Sequence, residues 1–136
     1  MHDLIILNNR LLRIIQQKPF NTNTIELYKL FNTLPINKLF QFQLLIHAHT
    51  TYFRPSLLPT IFVSHYQLNK DLHSHNIRLS NDFHRTSVSS IFSARISSSL
   101  CSKLWNLLPI NLKTENRIHA FKGLLKDLLT THDLKN

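Results

Sequence analysis

Glycine occurs once in this 136-residue chain, at Gly123, where an average composition would supply about nine. A single glycine removes every glycine-dependent phosphate loop, since neither a P-loop nor a dinucleotide-binding fingerprint can be assembled from it. A Gly-x-Ser-x-Gly nucleophile elbow is equally excluded. Tight turns must instead be made by Asn, Asp, Ser and Pro. Cysteine also occurs once, at Cys101, so no intrachain disulfide can form and the composition carries no sign of an oxidising compartment. Acidic residues number only 7, and Asp3, Glu26, Asp71, Asp82, Glu115, Asp127 and Asp133 stand apart from one another, whereas two-metal phosphoryl transfer needs clustered carboxylates. No apolar run approaches the ~20 residues of a membrane span. Residues 4–7 are apolar, but Asn8, Asn9 and Arg10 follow at once, the reverse of the order in a secretory signal. The expectation is an intracellular protein, in nucleus or cytoplasm, neither secreted nor membrane-bound.

Positive charge is what the chain has in excess. Lys and Arg number 16 against 7 acids, a net charge of +9, with 9 histidines besides. Such a field favours polyanions, and nucleic acid is the commonest of these inside a cell. Solubility, or an acidic protein partner, is the plainer reading of the same excess. The length suits one ordinary domain, enough to bury roughly two-thirds of the surface its unfolded chain exposes.

Hydrophobic spacing predicts a mainly α fold, a small helical domain of about five helices. Leu4, Leu7, Leu11 and Ile14 recur at helical spacing, with Arg10, Arg13 and Gln17 on another face and Pro19 ending the helix. Thr22 or Thr24 is placed to cap a second helix through Ile25, Leu27 and Tyr28, which Leu34-Pro35 breaks. Residues 36–52 alternate in part like a strand, but so long a stretch without a turn signal favours a buried helix. Pro55 and Pro59 frame a helical turn at 56–62. Asn76-Ile77-Arg78-Leu79-Ser80 and Phe92-Ser93-Ala94-Arg95-Ile96-Ser97 alternate again, leaving room for a short β-hairpin in the Ser/His-rich middle. Ser102 or Lys103 opens a helix that Pro109 closes, and Asn116 caps a last one with the seam Ile118, Phe121, Leu125 and Leu128. Three parts follow: a helical 1–62, a Ser/His-rich 63–100 and a helical 101–136.

Zinc needs four converging ligands, usually at short paired spacings. His73 and His75 with His65 or His84 come nearest, Cys101 is the one thiol, and His47 and His49 point apart on a helix; neither a metal nor a cofactor is expected. Nothing arranges Ser, His and Asp as a nucleophile, so no catalytic residue and no small-molecule substrate are assigned. Phosphate contact is open to Arg10, Arg13, Lys18, Arg78, Arg95, Lys103, Lys122 and Lys126, without base readout. Trp105 could stack on a base, but among Leu104, Leu108, Pro109, Phe121 and Leu125 it reads as part of a core motif.

Asn9-Arg10-x-Leu12-Arg13-Ile14-Ile15, Thr24-x-Glu26-Leu27-Tyr28-Lys29, Leu34-Pro35-Ile36 and Gln43-Leu44-Leu45, in this order, resemble the region that follows the reverse transcriptase in non-LTR (LINE-type) retrotransposon polyproteins. Further on, His75-Asn76-Ile77-Arg78 looks like that region's His/Tyr-Asn-Thr-Arg element. Lys103-Leu104-Trp105-Asn106-x-Leu108-Pro109 and Phe121-Lys122-x-x-Leu125-Lys126 look like its Lys-Leu-Trp-Asn-x-Leu-Pro and terminal Phe-Lys signatures. The resemblance runs from about Asn8 to Leu129 and rests on order and spacing together. It implies a fragment of an RNA-directed DNA polymerase polyprotein whose polymerase and endonuclease sites lie upstream. The chain alone is then expected to be non-catalytic, with weak, sequence-independent contacts to RNA or DNA and packing against the upstream reverse transcriptase part. Departures are Cys101-Ser102 where the family has Gly-Pro, and Ile96 and serines where aromatic residues follow its Gly-x-Arg. A helical protein-interaction module without nucleic-acid binding, or a non-functional remnant of a transposable element, is the alternative the same residues allow.

Overall fold

The structure is a computed structural model that describes residues 2–63, 66–72, 79–85 and 97–131, with the backbone alone at 61, 62, 97 and 98. It is mainly α. In chain order come α1 (His2–Ile15), α2 (Thr24–Leu30), α3 (Ile36–Phe53), a 3-10 turn at Pro55–Leu57, α4 (Thr60–Val63), α5 (Asn69–Leu72), α6 (Ser97–Asn106), α7 (Ile110–Thr114) and α8 (Ile118–Thr131). None of the described helices is long and apolar enough to cross a membrane. The chain divides into two compact units, Met1–Phe40 and Gln41–Asn136, with the boundary inside α3. Neither limit expected from the sequence, after residue 62 or after residue 100, falls there.

In the N-terminal unit α1 meets α2 with polar side chains. The Asn8 amide donates to the Tyr28 hydroxyl at 3.0 Å, which in turn donates to Asn9 Oδ1 at 2.6 Å. Gln16 Nε2 donates to the Leu27 carbonyl at 3.0 Å, and Leu27 is fully buried. The stripe Leu4, Leu7, Leu11 and Ile14 is left in water, each more than half exposed, and α1 buries no residue completely. Periodicity located the apolar face; the hydrogen-bonding groups of Asn8, Asn9 and Gln16 selected the face that packs within this unit.

Both helices of this unit end in the same way. Gln17 and Asn32 adopt positive φ, 51° and 46°. The Lys18 N–H bonds to the Arg13 carbonyl and the Gln17 N–H to that of Ile14; Thr33 to Tyr28 and Asn32 to Lys29 repeat the pattern. These are Schellman closures, which ordinarily place glycine in the left-handed position. With glycine absent, Gln17 and Asn32 take the strain. At the other end of α2, Asn23 is the cap, its side chain accepting from the Ile25 N–H at 3.0 Å, in place of the expected Thr22 or Thr24.

The C-terminal unit is built on three facing stripes. Part of α3 contributes Leu45, Ala48 and His49; α6 contributes Cys101, Leu104 and Trp105, continued by Leu108; α8 contributes Phe121, Leu125 and Leu129. Each set recurs at three- or four-residue intervals, so each lies on one side of its helix. Trp105 is wholly buried, with ring centroids of Tyr52 at 5.4 Å, Phe83 at 5.7 Å and Phe121 at 6.1 Å. Residues 36–52 are the helix expected of them, α3, of which Leu45, Ala48, His49 and Thr51 are the buried residues. Residues 56–62, expected as one helical turn, split between the 3-10 turn and α4. The α6 helix opens at Ser97, ahead of the expected Ser102 or Lys103. Arg117, and not the expected Asn116, stands at the start of α8: its carbonyl takes the first helical bond, from the Phe121 N–H, and its own N–H donates to the Glu115 carboxylate at 2.9 Å.

The hairpin expected at 76–80 and 92–97 lies mostly outside the described residues; at its edges Leu79 and Ser80 sit in a turn and Ser97 opens α6. Antiparallel pairing occurs elsewhere, as an isolated bridge between Leu68 and Phe83. It is flanked by bonds from the His84 N–H to the Gln67 carbonyl at 2.7 Å and from the Asn69 N–H to the Asp82 carbonyl at 3.0 Å.

Candidate nucleic-acid interface

The motif Lys103–Pro109 organises the basic end of the C-terminal unit. One turn of α6 buries Leu104 and Trp105, so Asn106 is turned toward the bridge segment. There its amide makes a two-point clamp on Phe83: the Phe83 N–H donates to Asn106 Oδ1 at 3.0 Å, and Asn106 Nδ2 donates to the Phe83 carbonyl at 2.8 Å. A side-chain amide thus copies the backbone of a neighbouring strand. Phe83 is 1% exposed, so its backbone groups have little water to turn to. Pro109 is exposed, which corrects its expected place in the core: it stands at the N-cap of α7, and the Leu112 N–H bonds to its carbonyl. From α7, Lys113 reaches Asp82 at 2.9 Å and the Asn106 carbonyl at 2.8 Å. Asp82 is nearly buried, so the pair neutralises a carboxylate that burial alone would penalise.

Beside this network lies a cleft of about 460 Å³, whose lining includes Asn69, Leu79, Arg85, Lys103, Leu107 and Lys113. Among the described residues Asp82 is the only carboxylate in the lining, and Lys113 occupies it. Arg85 and Lys103 therefore face the cleft with no acid among the described lining residues left to balance them. A second cleft, of about 450 Å³, is lined by Arg54, Arg117, Ile118, His119 and Ala120, with no carboxylate among the described lining residues. Beside it, the exposed Arg117 guanidinium rests 3.3 Å from Glu115, whose carboxyl is held below its ordinary range chiefly by the Arg117 N–H.

The residues expected to meet phosphate are dispersed. Arg10 and Lys18 are exposed on the N-terminal unit, and Arg10 lies over the Phe20 ring at 5.8 Å. Arg13 is partly structural, donating to the Thr22 carbonyl at 3.0 Å. Lys103 lines the first cleft; Lys122 is exposed on α8 and Lys126 is half-buried there. Arg78 and Arg95 lie outside the described residues. Sequence reasoning missed Arg85, Lys113, Arg54 and Arg117 as lining residues, since none stands in a periodic or motif position. The spacing of Lys113 from Asp82, 31 residues along the chain, gives no local signal either.

Of the expected core motif, Leu104, Trp105, Leu108, Phe121 and Leu125 are buried. Trp105 therefore has no face available to a base. Its Nε1–H, also buried, meets no acceptor among the described residues. His49 sits among these rings, 4.3 Å from Phe121 and 4.7 Å from Phe53, with Nε2 2.8 Å from the Glu115 carbonyl. Burial pushes its pKa below the ordinary 6.5, so the neutral imidazole donates to that carbonyl. The Cys101 thiol donates to the Leu44 carbonyl at 3.2 Å, and burial raises its pKa to about 11, which leaves it an unreactive thiol. His65, His73 and His75 lie outside the described residues, and among those described no three His, Cys, Asp or Glu side chains converge where a metal ion could be held.

Compared with known proteins, the chain matches no family model, no curated protein and no solved structure.

Proposed function

We propose that this chain is a non-catalytic nucleic-acid-binding segment of the kind that follows the reverse transcriptase in LINE-type retrotransposon polyproteins, holding RNA or DNA by its phosphates without reading sequence. One observation carries the binding part: two clefts of the C-terminal unit are lined by more cations than acids among the described residues, Arg85, Lys103 and Lys113 against Asp82 in one, Arg54 and the Glu115-paired Arg117 in the other. Phosphate contacts of this kind supply affinity and position but no base preference. The ordered motifs from Asn9 to Lys126 support the parentage. Within that reading, the Trp-Asn pair of the Lys103–Pro109 motif is architectural and the lysine beside it is the working residue.

Replacing Arg54, Arg85, Lys103 and Arg117 together by Glu tests the assignment, by fluorescence anisotropy with a labelled oligonucleotide at low salt. Binding is expected to be lost while the circular dichroism of the folded chain is kept. Undiminished binding by the folded variant would overturn the assignment.

A second reading, a protein-interaction module, is favoured by the exposed stripe Leu4, Leu7, Leu11 and Ile14. It assigns the charge to solubility alone. Failure of the unaltered chain to bind the oligonucleotide at low salt, together with binding of a protein partner that Leu7→Gln with Leu11→Gln abolishes, would favour it.

A further inference from the structure

The first cleft is amphipathic as well as basic. On a lining that carries Arg85 and Lys103, Leu79 is 60% and Leu107 43% exposed. Two large aliphatic side chains standing in water beside cations that no free carboxylate of the described lining balances are poorly used by inorganic phosphate, which would leave the leucines wet. An apolar ligand would strand the cations. A nucleotide answers both, with one phosphate and one flat apolar face. The surroundings are preorganised for it: the Asn106 clamp on Phe83 and the Asp82–Lys113 pair fix the segments that bear Arg85, Lys103 and Leu107. At about 460 Å³ the cleft lies within the roughly 300–1,000 Å³ of small-ligand sites. A base paired and stacked in a duplex cannot enter such a space without being taken out of the helix.

We infer that this cleft receives one unpaired nucleotide of a single-stranded nucleic acid, its phosphate against Arg85 and Lys103 and its base against Leu79 and Leu107. The inference rests on the proposed function and sharpens it, making the preferred ligand a single strand rather than a duplex. The contact is apolar and electrostatic, so it is tolerant of base identity, as at other single-strand sites.

The full chain is titrated at low salt with a labelled oligothymidylate of about 12 nucleotides, its abasic counterpart and a duplex of equal length. The single strand is expected to bind about tenfold more tightly than the duplex, and the abasic strand to lose most of that advantage. Leu79→Ser with Leu107→Ser, both surface changes, should erase the preference and leave duplex binding as it was. Lys103→Gln should weaken single-strand binding and lower its salt slope by about 0.7. Retention of the Trp105 near-ultraviolet signal shows that each variant is folded. Equal affinity for strand and duplex, or a preference untouched by the two serines, overturns the inference while the proposed function stands. Absence of binding to any of the three ligands at low salt overturns both.

Discussion

The two units use the same kind of amphipathic helix to opposite ends. In the C-terminal unit α6 and α8 turn their apolar stripes inward around Trp105, and polar groups such as Asn106 and Lys113 secure the edges. In the N-terminal unit α1 packs on α2 with Asn8, Asn9 and Gln16 and keeps Leu4, Leu7, Leu11 and Ile14 outside. A helical period identifies a face; it does not say which face is covered. What decides is the set of partners within reach: aromatic rings in one unit, amide and carbonyl groups in the other.

Substitutions can break this contrast, and the heaviest blow falls on the aromatic centre. Trp105→Ala should cost about 3–5 kcal/mol in urea unfolding of the C-terminal unit. A loss below 1 kcal/mol would mean that the rings around it are not a packed core. Next comes the clamp. Asn106→Ala leaves the nearly buried backbone of Phe83 without its two partners, for a loss of about 1–3 kcal/mol. Asn106→Asp keeps the acceptor but turns the donor into an oxygen facing the Phe83 carbonyl, and should cost at least as much as Ala.

His49 gives the contrast a pH dependence. In the unfolded chain its imidazole takes up a proton as pH falls through about 6.5, whereas burial holds the folded value lower. Between those two values the unfolded state binds more protons, so stability falls with pH below about 6.5 until the folded imidazole also protonates. Urea midpoints at neutral and at mildly acid pH should show this fall, and His49→Gln, which can still donate to the Glu115 carbonyl, should flatten it. An unchanged slope in that variant would place the pH sensitivity elsewhere.

Smaller effects concern glycine. Gly123 lies exposed within α8, and a Cβ there would meet nothing within 4 Å. Gly123→Ala should stabilise α8 by about 1 kcal/mol. Gln17→Gly should also stabilise, by relieving the left-handed strain of about 1–2 kcal/mol at the end of α1, less the entropy that glycine adds to the unfolded chain. A thermal melt that drops in either variant contradicts this reading. Least of all, Leu7→Gln should change stability by no more than about 0.5 kcal/mol, because its side chain is already in water.

The existence of the helices was legible from period and proline: α1, α2, α3 and α8 follow from apolar spacing and from Pro19 and Pro35. So was the burial of Trp105, from the leucines at its helical neighbours. The caps were less so, since Asn23 took a position for which Thr22 and Thr24 were equally good chemistry, and Arg117 rather than Asn116 opens α8. The candidate site was legible only at Lys103. Arg85, Arg54 and Lys113 are brought to their clefts by tertiary contacts, above all by an asparagine that mimics a strand, and no periodicity encodes such a contact. The fate of the α1 stripe was hidden for the same reason, because an apolar period is silent about competing hydrogen bonds.

The most direct test of phosphate-driven binding is the salt dependence of the affinity of the full chain for a single-stranded oligonucleotide. With about four phosphates neutralised, the logarithm of the binding constant should fall linearly with the logarithm of salt concentration, with a slope of roughly −3. A slope near zero would contradict the account, as would no binding at the lowest salt.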